Sequence, residues 1–137
     1  MRTIELDRWA LIPGPEGLIE VISSQEIVEL ALYEPQAVAE RMLAFDGVEL
    51  LHGPESTWWD WRACLRCEDC RVEFDFSLLE FEPPRETAWG GSQLSGRCGL
   101  DLWVMFFEDL RAAFPGVYMH NDDTEVYGPE SFIELLR

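Results

Sequence analysis

The sequence predicts an α+β fold: a single domain over residues 1–137, with an antiparallel sheet built around a central hairpin and helices packed on one face of it. Three observations carry this prediction. A chain of 137 residues, 47% of them hydrophobic, has the length of one domain and ample material for one core, so its charge does not make it disordered. From Trp58 to Phe81 apolar residues recur at every second position, the spacing of half-buried strands. From Asp101 to Phe114 they recur at helical spacing, and a strand face and a helix face of matching hydrophobicity need one another as partners.

Thr3 to Ile12 reads as a first strand or a short helix, and Pro13-Gly14-Pro15-Glu16-Gly17 as a turn before a short strand, Leu18 to Ile22. Ser23 or Ser24 is placed to cap a helix through Tyr33. Pro35, whose missing N–H costs nothing in a first helical turn, opens a second helix that Gly47 ends. Val48 to His52 is a strand closed by Gly53-Pro54. In the long hairpin Trp59, Trp61, Ala63, Leu65 and Cys67 share one face, and Cys70, Val72, Phe74, Phe76 and Leu78 continue it after a tight turn at Glu68 and Asp69. Arg62, Arg66, Arg71, Glu73 and Asp75 take the other face, and Pro83-Pro84 ends the second strand. Trp89 to Gly99, rich in glycine, reads as a loop. Asp101 then caps a helix to about Phe114, with Leu102, Met105, Phe106, Leu110 and Ala113 inward, and Pro115-Gly116 stops it. A smaller hairpin, Val117 to Met119 and Glu125 to Tyr127, turns around His120-Asn121-Asp122-Asp123, and Pro129 starts a terminal helix, Glu130 to Leu136.

Charge excludes whole classes of partner. Against 27 acids stand 10 basic residues, all of them Arg, for a net charge of −17. The acids are not gathered in a tail, since the chain up to Asp69 and the chain after it carry nearly equal shares. Such a surface repels nucleic-acid phosphates and anionic membranes, so neither is expected as a partner. The longest apolar run, Leu102 to Phe107, is too short to span a bilayer, and the opening MRTIELDRWALIPGPEG lacks the apolar stretch of an export signal. The expectation is a cytoplasmic protein, with cysteines as reduced thiols or metal ligands.

The chemistry-bearing motifs are few. Cys64, Cys67 and Cys70 have the spacing of an iron–sulfur or zinc site, but the strand pattern points Cys64 to the opposite face, which leaves a zinc knuckle of Cys67, Cys70 and Cys98 completed by His52 or His120 as the alternative to plain thiols. Gly91 to Cys98 has the glycine spacing of a phosphate-binding loop, yet Arg97 and Cys98 stand where Lys and a hydroxyl belong, and a connecting loop is the simpler reading. Cys98, before a helix, would have its thiolate favoured by the helix dipole. His120 to Asp123 are turn formers as well as oxygen and nitrogen ligands. No nucleophile–base order or nucleotide fingerprint stands out, so no catalytic residue and no cofactor is assigned.

Six tryptophans are many for this length, and Trp58 cannot share the face that holds Trp59 and Trp61. It lies either at the surface or under a helix on the second face; a surface Trp beside carboxylates is the composition of a protein interface. Small size, strong acidity and Trp/Asp-rich hairpins, with the ending LDLWVMFFEDLRAAFPGVYMHNDDTEVYGPESFIELL over Leu100 to Leu136, resemble the immunity proteins of bacterial polymorphic toxin systems, inhibitors of basic nuclease toxins among them. The resemblance implies a non-catalytic binder that occludes a cognate toxin, a basic protein partner. The candidate contact residues are Trp58, Asp60, Glu68, Asp69, Asp122, Asp123 and Glu125. A second reading of a different class is a small metal- or thiol-dependent enzyme using Cys64, Cys67, Cys70, Cys98 and His120, and a third is a subunit that assembles with its own copies.

Overall fold

The computed structural model describes residues 2–15, 22–23, 31–53, 61–80, 87–123 and 125–137. In chain order the elements are β1 (Thr3–Glu5), β2 (Trp9–Pro13), β3 (Ile22–Ser23), α1 (Pro35–Ala44), β4 (Val48–His52), β5 (Arg62–Arg66), β6 (Arg71–Glu80), β7 (Thr87–Gly99), α2 (Leu100–Ala113), β8 (Val117–His120), β9 (Glu125–Tyr127) and α3 (Pro129–Leu135). Every strand pairing among them is antiparallel, and the path across the sheet is β3-β9-β8-β2-β7-β6-β5-β4, with β1 joined to the far end of β7.

The long hairpin forms as its alternation requires. β5 and β6 pair from Arg62↔Asp75 to Arg66↔Arg71, burying Trp61, Ala63, Leu65, Val72, Phe74 and Phe76. The hairpin does not occupy the centre of the sheet, however. β7 takes that place, between β2 and β6, so the glycine-rich stretch expected to be a loop is the longest strand of the sheet. Its glycines are what conceal it. Gly91 and Gly96 have φ of +141° and +132°, and a Cβ at either would lie 2.7 Å from the Leu11 carbonyl oxygen or 2.2 Å from that of Arg71. Glycine inside a strand marks such close approaches of backbone, and a register shift at Ser77/Leu78 further breaks the alternation.

Over the apolar face lie the helices. Phe106 of α2 stacks on Phe74 with ring centroids 5.3 Å apart, Trp103 donates its indole N–H to the Met119 sulfur, and Phe132 of α3 meets Trp9 edge-on at 5.1 Å. α1 joins α2 through Phe45 against Phe106 and through a two-pronged Arg41–Asp109 pair at 2.8 and 3.1 Å. Pro35 opens α1 as expected, with Gly47 past its end at φ +97°. α2 starts one residue before Asp101, which sits in the first turn rather than at the cap. Its buried face is Trp103, Phe106, Phe107 and Leu110; Met105 is 60% exposed and Ala113 is exposed, because the stripe follows the aromatic rings that reach Phe74.

Elsewhere the expectations need three corrections. Thr3 to Ile12 is neither one strand nor a helix but two strands, turned at Arg8, whose φ is +72°. Ser23 belongs to β3 and residues 31–34 are not helical, while residues 24–30 of the expected helix and most of Leu18 to Ile22 lie outside the described residues. Cys67 and Cys70 are joined as a disulfide, against the expectation of free thiols, whereas Cys64 and Cys98 are free and buried. No described helix is long and apolar enough to cross a membrane.

Candidate functional site

Strand direction decides where the acidic turns go. β6 and β2 both run antiparallel to β7, so the turn before β6 and the chain entering β2 lie beside the Leu94–Gly99 half of β7. β8 runs antiparallel to β2 and ends opposite Ala10, which brings the turn after His120 to the same place. Both hairpin tips therefore project from one end of the sheet. Between β6 and β8 lie β7 and β2, so the nearer strands of the two tips stand about 14 Å apart at the usual strand spacing.

Each tip is held by its own backbone chemistry. In the first, the Cys67 N–H donates to the Cys70 carbonyl at 3.0 Å and leaves the Glu68 and Asp69 side chains exposed. In the second, the Asn121 carbonyl oxygen of the side chain accepts the Asp123 and Glu125 N–H groups at 3.0 and 3.1 Å, the Asx turn that its sequence favours, and Asp122, Asp123 and Glu125 are exposed. The Glu125 carboxylate accepts the Tyr127 hydroxyl. Burial, and then that bond, pushes the Tyr127 hydroxyl up to about 12, so it stays a donor.

The corner between β1 and β2 fills the gap between the tips. Asp7 accepts the Gly96 N–H at 2.7 Å, the Leu6 N–H donates to the Gly96 carbonyl at 2.8 Å, and Arg8 reaches Asp122 at 3.6 Å. Beside it Glu5 lies opposite Arg97, whose guanidinium donates to the Thr3 hydroxyl at 3.2 Å. The sheet end thus carries Glu5, Asp7, Glu68, Asp69, Asp122, Asp123 and Glu125 against Arg8, Arg71 and Arg97. A groove of about 910 Å³ runs along it between β1 and the Cys67–Arg71 turn, floored by Gly96.

Balance, by contrast, marks the face of the hairpin opposite its apolar one. Arg62 pairs with Asp75 at 2.9 Å, Arg66 with Glu49 at 3.1 Å, and Arg71 with Glu73, all half-exposed. These pairs add little stability, but they cancel charge. They also cover Cys64, which is buried on this face rather than open to solvent.

Of the expected contact residues, Glu68, Asp69, Asp122, Asp123 and Glu125 gather at one end, and Trp58 and Asp60 lie outside the described residues. Glu5, Asp7, Arg8 and Arg97 belong to the same end and were missed, since only strand order brings β1 and β7 there. The metal alternative is not assembled. Cys67 is bonded to Cys70, Cys98 faces the core, His120 lies on β8 and His52 on the far edge strand, and among the described residues no three side chains of ligating type converge. Nor is Cys98 a low-pKa thiol: burial raises it to about 11, outweighing a backbone hydrogen bond at Gly99.

Comparison with protein-family models, with curated proteins and with solved structures returns no match.

Proposed function

We propose that this chain is an acidic, non-catalytic binding protein that neutralises a basic protein partner, acting as the immunity protein of a bacterial toxin system, nucleases being one class of toxin such a protein would fit. One observation carries the reading: two acidic turns distant in sequence, 68–69 and 122–125, share one end of the sheet while the neighbouring sheet face is charge-balanced. Excess negative charge in one place steers a basic partner and fixes its register, which an even coat of the same charge would not do. The acids would occupy the place that phosphates take on a nuclease, and the rigid strands beneath would hold them there.

The experiment screens basic proteins encoded beside this chain's gene for a complex, then follows association by stopped flow. D122N/D123N and E68Q/D69N should each slow association and weaken affinity by about 1 to 3 kcal/mol, with a shallower salt dependence and unchanged thermal stability. Glu40→Gln with Glu108→Gln, exposed acids on α1 and α2, should change little. No complex with any such protein, equal effects of tip and helix pairs, or an affinity indifferent to salt would each refute the assignment.

A further inference from the structure

We propose that the Cys67–Cys70 pair is a thiol–disulfide exchange site whose acidic surroundings select cationic thiols, an inference independent of the binding reading above. The pair closes a turn of sequence separation 3 and lines the 910 Å³ groove, with both cysteines half-buried rather than enclosed. Structural disulfides restrain a chain by closing long loops, and this loop is already closed. The Cys67 N–H bonds the Cys70 carbonyl and Arg66 pairs with Arg71 across the hairpin, so opening the S–S bond leaves the turn in place. Cys67 Sγ lies 3.3 Å from the Cys70 carbonyl oxygen, an acceptor within reach of the reduced thiol. The other two cysteines offer no comparable site, being fully buried.

Exchange proceeds in two displacements. An external thiolate forms an S–S bond with one protein sulfur, and the other leaves as a thiolate and takes a proton from water. A second external thiolate then attacks the external sulfur of that mixed disulfide, releasing the external disulfide and the second protein thiol. Two thiols are oxidised to one disulfide and two electrons pass to the protein. The reverse reaction needs only a small disulfide as oxidant.

Selectivity follows from the charges facing the sulfurs. Glu68 and Asp69 sit between the two cysteines and Glu5 lines the groove from β1; Glu73 offsets the charge of Arg71, and Arg97, held by the neutral Thr3 hydroxyl, keeps its own, so three carboxylates face one uncompensated guanidinium. An attacking thiolate that also carries an ammonium arrives neutral, and one that carries a sulfonate arrives with two negative charges. At separations of about 6 to 8 Å in water this difference is worth about tenfold in rate at low salt, shrinking as salt screens it.

The test uses the full chain, oxidised and folded, with 2-aminoethanethiol and 2-mercaptoethanesulfonate at matched thiolate concentrations, read by alkylation and mass spectrometry. The expected result is complete opening of one disulfide with native tryptophan fluorescence retained, about tenfold faster with the cationic thiol. E68Q/D69N should abolish most of that preference, and Cys67→Ser with Cys70→Ser should remove the alkylated pair while the chain stays folded. A bond that opens only when the chain unfolds, equal rates for the two thiols, a preference that survives E68Q/D69N, or alkylation that survives the double serine variant would each overturn the proposal.

Discussion

Replacing Gly96 with Ala tests whether the glycines of β7 are there to let strands touch. A Cβ at this position would stand 2.2 Å from the Arg71 carbonyl oxygen, and φ at +132° is a conformation that L-residues rarely adopt. The backbone conformation alone costs on the order of 1 to 3 kcal/mol. To relieve the overlap Gly96 must shift by about 1 Å away from Arg71 and toward the β1–β2 corner, since packed carbon and oxygen rest more than about 3 Å apart, and that distorts the two bonds Gly96 makes there. One is its N–H to Asp7 at 2.7 Å, the other its carbonyl from the Leu6 N–H at 2.8 Å, each worth about 1 kcal/mol. The total is about 3 to 5 kcal/mol, a large share of the roughly 5 to 15 that keeps a domain folded. Urea unfolding followed through the buried Trp61, Trp89 and Trp103 reads it directly, with Ser95→Ala, an exposed neighbour on the same strand, as control. A loss below about 1 kcal/mol with an unchanged denaturant slope would refute the close approach and with it the central place of β7.

Phe106→Asp should unfold the chain, because it sets an unpaired charge among Phe74, Phe45 and Trp103, whereas Met105→Asp should leave the melting temperature within a few degrees; circular dichroism against temperature separates the two. The buried Cys98 thiol titrates above its ordinary value of 9.0, so the fold favours its neutral form: that contribution is complete below about pH 9 and is lost as pH rises through about 11. Urea midpoints should therefore fall between pH 8.5 and 11 and fall less in Cys98→Ala, while Tyr127 adds a loss of the same sign between about 10 and 12 in both proteins; parallel midpoint curves for the two proteins would sink the assignment.

What the sequence made legible was whatever one strand or helix decides alone. Trp61, Ala63, Leu65, Val72 and Phe74 alternate because one face of a hairpin is covered, and the structure buries all five. Pro35, Pro115 and Pro129 punctuate helices through a missing N–H and a fixed φ, which are local facts, and α1, α2 and α3 begin or end beside them. β7 was illegible for the opposite reason: its Gly91 and Gly96 are demanded by Leu11 and Arg71, residues far away in sequence, and without knowing those neighbours a run of glycine and serine reads as a loop. The face of α2 was misjudged by about one residue because Met105 and Phe107 are equally apolar, and only the position of Phe74 and Met119 selects between them. The tight turn at Glu68-Asp69 is legible and brings the Cys67 and Cys70 sulfurs together across it, but composition speaks only to the compartment and not to whether the two are bonded.

The distribution of charge gives the acidic end its meaning. Spread evenly, a net charge of −17 over 7911 Å² leaves one negative charge for about every 470 Å², so a contact patch of about 800 Å² would hold about two. The sheet end gathers seven acids with Arg8 and Arg97, while the adjoining face matches Arg62, Arg66 and Arg71 with Asp75, Glu49 and Glu73. Concentrating like charge works against folding unless the charges are screened from one another. Here the nearer strands of the two tips, β6 and β8, stand about 14 Å apart, beyond the roughly 8 Å screening length of physiological salt, and Arg8 sits between the tips against Asp122. Their mutual repulsion is weak, yet both fall within the footprint of one ordinary partner. On the proposed binding reading, the sheet keeps two acidic turns apart enough to be tolerated and close enough to be met together, as independent contacts on one surface.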